Sequence, residues 1–304
     1  MPKLKIGTRG SPLALYQAHE TRSRLMAAHG FAEEDIEIVV ITTTGDRIRD
    51  RPLSEIGGKG LFTKEIEEAL FAGDIHLAVH SMKDMPARLP DGLTMAALLP
   101  REDARDAFLS PVAKTIGDLP EGAVVGSSSV RRGAQLKRLR PDIEVIQFRG
   151  NVETRLKKLA DGVAQATFLA AAGLNRLGLT DKITSLVPVD VMLPAVAQGC
   201  IGIETRADDE ATREILAPVN HETSNIAVSC ERAFLAALDG SCRTPLAGHA
   251  VFDNGTLRFR GHALTLDGRH CFETTREGSP ADAERMGREA GEQVKAEGGS
   301  LIAF

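Results

Sequence analysis

Short β-branched and apolar runs alternate with helix-length amphipathic runs through the first two-thirds of the chain, and this rhythm restricts the fold more than any other feature. KLKIGT (3–8) reads as a strand. Ser11-Pro12 then opens a helix, with serine at the cap and proline in its first turn. Leu15, Ala18, Leu25 and Met26 recur on one face of it, and Gly30 fits its end. IEIVVITT (36–43) reads as a second strand. The glycine-rich IGGKGLF (56–62) leads into the helix TKEIEEALFAG, and HLAVHS (76–81) is a third strand, ending at Lys83-Asp84. A second stretch of this kind begins near Asp106, with strands DAFLS, GAVVGSSS, EVIQFRG and ATFLAA. VRRGAQLKRLR and NVETRLKKLADG are the helices between them, the latter capped by Asn151. CIGIETR (200–206) reads as one more strand, expected by analogy to return to the first sheet. Such a rhythm predicts mostly parallel sheets covered by helices.

From His221 the pattern changes. A helix, TSNIAVSCERAFLAAL, stops at Asp239-Gly240. Three strand-like runs follow, separated by Asp253-Asn254-Gly255 and Asp267-Gly268, which are hairpin signals. A last helix is expected from Ser279-Pro280. This predicts a small α+β domain with a three-stranded antiparallel sheet.

Composition excludes several classes. The chain has 304 residues, no Trp, one Tyr and a net charge of −5. It therefore lacks the aromatic platforms of single-strand nucleic-acid binders and the overall basic coat of DNA binders. No apolar run is long enough to span a bilayer, and MPKLKIGTRG lacks the layout of a signal peptide. The four cysteines, at 200, 230, 242 and 271, form no CxxC pair and no zinc-finger spacing. No metal site is expected, and the expected compartment is the cytoplasm.

Three segments carry candidate chemistry. Between 127 and 158, nine positive residues face three negative ones. Ser127-Ser128-Ser129 sits between a strand and a helix start, where N–H groups and the helix dipole favour an anion. Arg131, Arg132, Arg149 and Arg155 fall at strand ends or helix starts and suit anion binding. Lys137, Arg138, Lys157 and Lys158 read as a solvated helix face. In His80-Ser81-Met82-Lys83-Asp84, an acid after a strand suits proton transfer or stabilisation of a cation. An aspartate before a proline turn is also an ordinary cap. Cys242, in a tight turn, is either a reactive or attachment thiol or a small buried hydrophobe. Gly57-Gly58-Lys59-Gly60 lacks nucleotide-loop spacing and reads as a lid.

These segments, taken as GTRGSPLAL, TTTGDR, GGKGLFTKEIE, LAVHSMKDMP, VGSSSVRR, FRGNVETRL, AGLNRLGL, LPAVAQG and LDGSCRTPLAG, closely resemble the porphobilinogen deaminase (hydroxymethylbilane synthase) family across nearly the whole chain. The weakest coverage is the C-terminal meander. The resemblance implies two periplasmic-binding-protein-like, doubly wound α/β lobes plus a small α+β C-terminal domain. The expected domains are 1–99 with 200–217, 105–193 and 221–304. It implies a transferase of heme and porphyrin biosynthesis that condenses four porphobilinogen molecules head to tail with loss of ammonia and then releases hydroxymethylbilane by hydrolysis. It implies a dipyrromethane cofactor on Cys242 through a thioether, with Asp84 as catalytic carboxylate. Lys83, Ser127, Ser128, Ser129, Arg131, Arg132 and Gln198 match cofactor-binding positions; Arg9, Ser11, Arg149, Arg155 and Arg176 match substrate-binding ones. Lys59 and Phe62 match a mobile active-site loop. The partner is the small-molecule substrate, with neither nucleic acid nor membrane, and the family implies a monomer. Departures are Tyr16 where many relatives have Trp, Glu55 where some have a basic residue, and Ser127 where Thr is common. The rival reading is a non-enzymatic two-lobed small-anion binding protein, which predicts no adduct on Cys242 and no need for Asp84.

Overall fold

The computed structural model describes residues 3–47, 60–240 and 244–302. Its first strand, β1 (Leu4–Thr8), runs into helix α1 (Pro12–His29). Ser11 caps this helix by accepting from the Ala14 N–H, and Gly30 closes it in the left-handed region at φ 70°. The buried stripe of α1 differs from the expected one. Ala14, Gln17, Ala18, Thr21 and Leu25 are buried, whereas Leu15 and Met26 are only half-buried. Polar residues can occupy the stripe because they are hydrogen-bonded: Gln17 pairs with the Ser81 hydroxyl, and Thr21 donates to the Gln17 carbonyl.

The chain continues through β2 (Ile36–Val40), the short α2 (Thr44–Arg47), α3 (Lys64–Ala72), β3 (Leu77–Ser81) and β4 (Leu93–Leu98). It then builds a second set: β5 (Asp106–Leu109), β6 (Val124–Gly126), α4 (Val130–Leu139), β7 (Glu144–Ile146), α5 (Val152–Ala160), β8 (Ala166–Ala170), α6 (Ala171–Arg176) and β9 (Ser185–Leu186). Strand β10 (Ile201–Arg206), followed by α7 (Glu210–Leu216), returns to the first sheet as expected, between β3 and β4.

The two five-stranded sheets share one plan. Their orders are β2-β1-β3-β10-β4 and β7-β6-β8-β5-β9. In each, three strands built in βα succession are parallel and one strand is reversed against its two neighbours. The reversed strand is the last of its sheet in chain order in one case (β10) and the first in the other (β5). The expected mostly parallel character holds for the other four strands, with the reversal as the added feature. Apolar strands that are buried along nearly their whole length, such as β5, are what a sheet covered on both faces requires. Core clusters around Ile6, Leu25, Val79 and Ile203 in the first set, and around Phe108, Val125 and Phe168 in the second, fill the helix–sheet layers. Each such side chain contributes about 1.5–3 kcal/mol by burial.

Helix α8 (Glu222–Ala237) leads to the meander β11 (Leu246–Asp253), β12 (Thr256–Leu264) and β13 (Cys271–Gly278), antiparallel in that order, and to α9 (Ala283–Gly298). Asn254-Gly255 turns the first hairpin with both residues at positive φ, as that sequence demands. Ser279-Pro280 opens a 3-10 turn, and α9 itself begins only at Ala283. Two compact units result: Met1–Glu102 with Cys200–Asn225, and Asp103–Gly199 with Ile226–Phe304. Among the described residues, no helix is long and apolar enough to cross a membrane.

In the second unit α8 and α9 cross at glycine contact. A Cβ on Gly287 would stand 2.0 Å from the Cys230 carbonyl oxygen. Gly287→Ala is therefore expected to force the helices apart at a cost of about 1–3 kcal/mol, read as a lowered thermal midpoint. An unchanged midpoint would show that this crossing is not tightly packed.

Candidate active site

In the first unit, three separate segments meet at one small cavity. Arg9 and Ser11 arrive from the β1–α1 junction, Phe62 and Thr63 from the entry to α3, and His80, Ser81 and Asp84 from the end of β3. Asp84 closes a 3-10 turn, Met82–Asp84, and is exposed; Lys83 beside it is half-buried. The guanidinium of Arg9 is held from two sides. It is ion-paired to Asp46 and lies 4.2 Å from the centroid of the Phe62 ring, a cation–π contact. Thr43 also donates to Asp46, at 2.8 Å. Burial alone would raise the Asp46 carboxyl; the bonds from Arg9 and Thr43 outweigh it and hold it below its ordinary value. Gly45 has no room for a side chain, because a Cβ there would lie 2.3 Å from the Phe62 ring.

The second unit gathers the expected basic residues around a carboxylate that sequence reading passed over. Asp106, fully buried at the start of β5, accepts from Arg131 Nη2 at 2.8 Å, from Arg132 Nη2 at 2.6 Å and from Gln198 Nε2 at 3.0 Å. Arg131 also donates to the Leu193 carbonyl and Arg132 to that of Phe168. Burial would raise the pKa of Asp106, but the two guanidiniums reverse this and hold it far below the usual carboxylate range. Two positive groups facing one negative group leave the cluster with a net single positive charge. Arg131 Nε remains buried without a partner, as does Arg149 Nη1. Ser129 caps α4 by accepting from the Arg132 N–H, and Ser128 accepts from the Phe148 N–H. Ser127 is buried and bonds to Ser129.

The remaining expected residues sit around this frame. Arg155 donates from Nε to the Gly150 carbonyl, and Arg176 to the Gly199 carbonyl. Lys158 departs from the solvated reading: its Nζ bonds the Arg149 carbonyl and lies 5.7 Å from the Phe148 ring centroid. Lys157 matches that reading, in an exposed pair with Asp161. Lys59, Glu55 and Cys242 lie outside the described residues. Cys230 is buried on α8, with its thiol pushed up to about 12 by burial and the neighbouring Glu231, so it is chemically inert.

Sequence comparison decides the family. A family model described as "Porphobilinogen deaminase, dipyromethane cofactor binding domain" matches residues 4–214, and one for the C-terminal domain of the same family matches 225–296. The porphobilinogen deaminase of Paracoccus denitrificans is 59% identical over 96% of this chain and 93% of its own. The chain belongs to the porphobilinogen deaminase family. It is a transferase of tetrapyrrole biosynthesis that works with a dipyrromethane cofactor, and the anion-binding-protein alternative is not favoured. Solved structures similar in outline include a TRAP periplasmic solute binding protein from Desulfovibrio salexigens, at 10% identity over 73% of each chain and a TM-score of 0.44. A periplasmic substrate-binding protein of an ABC transporter from Coxiella burnetii is 11% identical over 71% of this chain and 91% of that one, also at a TM-score of 0.44.

Two buried groups in the second unit give the chain a readable acid response. His262, on β12, is driven down to about 3 by burial, with the positive charges of Arg260, Arg131 and Arg138 adding to the effect. Unfolded, it titrates near 6.5, so between those values the unfolded chain binds the extra proton and stability falls as pH falls. The expected slope is about 1.4 kcal/mol per pH unit between pH 6 and pH 4. Urea midpoints of His262→Gln should show that slope reduced by one proton's worth; an unaltered slope would refute the assignment. Asp106 acts lower, its contribution complete above about pH 4 and lost below it. Asp106→Asn is expected to destabilise by about 3–5 kcal/mol, because two buried guanidiniums lose their counter-charge; a midpoint like that of the parent would contradict this.

Proposed function

We propose that the chain joins four porphobilinogen molecules head to tail, releasing ammonia at each addition and hydroxymethylbilane at the end, with Asp84 as its catalytic carboxylate. The observation that carries this reading is the meeting of Asp84, Ser11 and the braced Arg9 at one cavity. Such a substrate bears two carboxylates and an aminomethyl group on a pyrrole. Loss of ammonia leaves a cationic pyrrole, which an aspartate can stabilise through its N–H. Arg9, with its direction fixed by Asp46 and Phe62, is prepared to receive a substrate carboxylate. Ser11, Arg149, Arg155 and Arg176 complete the substrate-binding set.

The residues of the second unit fit an acid-bearing dipyrromethane. Arg131 Nε and Arg149 Nη1 are buried donors without partners, and Ser127 to Ser129 lie at the positive end of α4. When bound, the cofactor supplies the pyrrole carbon to which the first unit is joined. Arg131 and Arg132 would hold its carboxylates through the positive charge that Asp106 leaves uncancelled, Lys83 and Gln198 would complete the lining, and Cys242 would anchor it. The active-site loop would carry Lys59 and Phe62. The three-domain division at 1–99 with 200–217, 105–193 and 221–304, a cytoplasmic monomer, and no nucleic-acid partner complete the proposal.

Intact-mass measurement should find a dipyrromethane on the protein and none on Cys242→Ser; an unmodified active protein would overturn the anchoring role. Asp84→Asn is expected to lose turnover by about 10²–10⁴-fold, measured as porphobilinogen consumption. Full turnover in that variant would remove Asp84 from the chemistry.

A further inference from the structure

The meander of the second unit buries one face and carries a cleft on the other. Phe259 of β12 packs on Phe234 of α8, with ring centroids 5.1 Å apart, and Thr274 of β13 bonds Gln293 of α9. The residues that alternate with these point the opposite way. In register across the strands they form two rows, His249–Arg260–Thr275 and Val251–Arg258–Glu277. Val189 and Asp190, from the segment between β9 and β10, supply the facing wall, and the cleft holds about 360 Å³. That volume falls among small-molecule pockets, which run from about 300 to 1,000 Å³.

The charged groups of the cleft are loosely engaged. Arg258 and Glu277 form an ion pair in which both side chains are 61% exposed. Arg260 pairs with Glu273, and its Nη1 lies 3.5 Å from Asp190, whose side chain is 88% exposed. Exposed pairs of this kind contribute little, and 3.5 Å is longer than an ordinary hydrogen bond. A ligand that enters the gap between Arg260 and Asp190 therefore displaces no buried contact. Beside the gap Val251 is 47% exposed, and Val189 is half-buried across from it. Opposite charges close together next to an apolar wall complement a ligand with the same arrangement. A simple anion such as phosphate would leave Asp190 and both valines unanswered, and a hydrocarbon would leave both charges so.

We propose that this cleft binds an apolar α-amino acid, with its carboxylate on Arg260, its ammonium on Asp190 and its side chain against Val251 and Val189. The site lies wholly within the second unit and does not rest on the assignment of Asp84. Its wall is one short turn, closed by the Val191 and Met192 N–H groups on the Pro188 carbonyl. The same turn ends at Leu193. The Leu193 carbonyl accepts from Arg131 Nη1 at 2.7 Å and from Gln135 Nε2 at 3.0 Å, and its N–H donates to Gln135 at 2.8 Å. An amino acid that ties Asp190 to β12 thus acts on the turn that holds Arg131 beside Asp106. It is an effector of the basic frame that binds without entering it, and the coupling is reciprocal.

The test uses the cofactor-bearing protein, labelled with ¹³C at valine methyls and ¹⁵N at arginine. It is titrated with L-phenylalanine, and at equal ionic strength with phenethylammonium chloride and sodium phenylacetate, which each lack one of the two charges. The expected result is a saturable shift of the Val251 and Val189 methyls with phenylalanine, accompanied by the Arg131 Nε–H signal. Each half-ligand should bind at least about tenfold more weakly. Asp190→Asn alters an exposed side chain, so it is expected to fold and to weaken phenylalanine by about tenfold. No saturable shift at Val251, equal affinity for either half-ligand, or unchanged affinity in Asp190→Asn overturns the site. An Arg131 signal that stays still while Val251 moves overturns the link to the frame.

Discussion

A carboxylate taken fully out of water is tolerated only with compensating charge and hydrogen bonds, and the second unit is organised around one. Asp106 is held by two guanidiniums and an amide. Desolvating three ions costs several kcal/mol each, and good geometry with every remaining N–H bonded is what offsets it. The structure supplies most of that: Arg131 and Arg132 use further N–H groups on the Leu193 and Phe168 carbonyls. One cluster thereby ties β5, β8, the first turn of α4 and the segment before β10. The serine-rich helix start is positioned by a buried ionic frame and does not depend on loop packing alone. The frame carries excess positive charge, which an apolar replacement of similar volume would lack.

The first unit has the opposite polarity. His80 lines its cavity, Glu204 bonds the imidazole, and Arg9, the one cation among the described lining residues, is paired with Asp46. A porphobilinogen molecule has the same division of charge, with carboxylates on the ring and an ammonium on its methylene arm. Net charge conceals this, because the sum over the chain says nothing about its placement.

Much of this was legible in the sequence. The βα rhythm, the Ser11 and Asn151 caps and the hairpin turns follow from local chemistry, which is what a sequence displays; the return of 200–206 to the first sheet was expected by analogy alone. The basic residues were visible as a cluster, but their anchoring was not. Asp106 reads as the first residue of a strand, and its role depends on side chains 25 and 92 positions away. His80 and Glu204 are likewise 124 positions apart, and each alone reads as an ordinary strand residue. Gln17 and Thr21 fall on the buried stripe of α1 because hydrogen bonds satisfy them, Gln17 from the distant Ser81 and Thr21 on the helix's own backbone, which hydrophobic periodicity does not register. The reversed strand in each sheet escaped for a related reason: strand direction depends on the course of the connections between strands, and residue type carries no mark of it.

The segment before β10 shows how such long-range constraints act on backbone. Ala197 sits at φ 58°, a left-handed conformation that costs a non-glycine residue about 1–2 kcal/mol. Its N–H donates to the carboxylate of Glu231, which is wholly buried on α8 and also accepts from the Ala250 N–H on β11. The next residue, Gln198, reaches Asp106. A relaxed Ala197 would turn its N–H away from Glu231 and shift Gln198 relative to the carboxylate it bonds. The strain is therefore balanced by two buried anions, one on each side of the segment. Helix α8 is thus bonded, through one strained alanine, to the frame that holds Arg131 and Arg132.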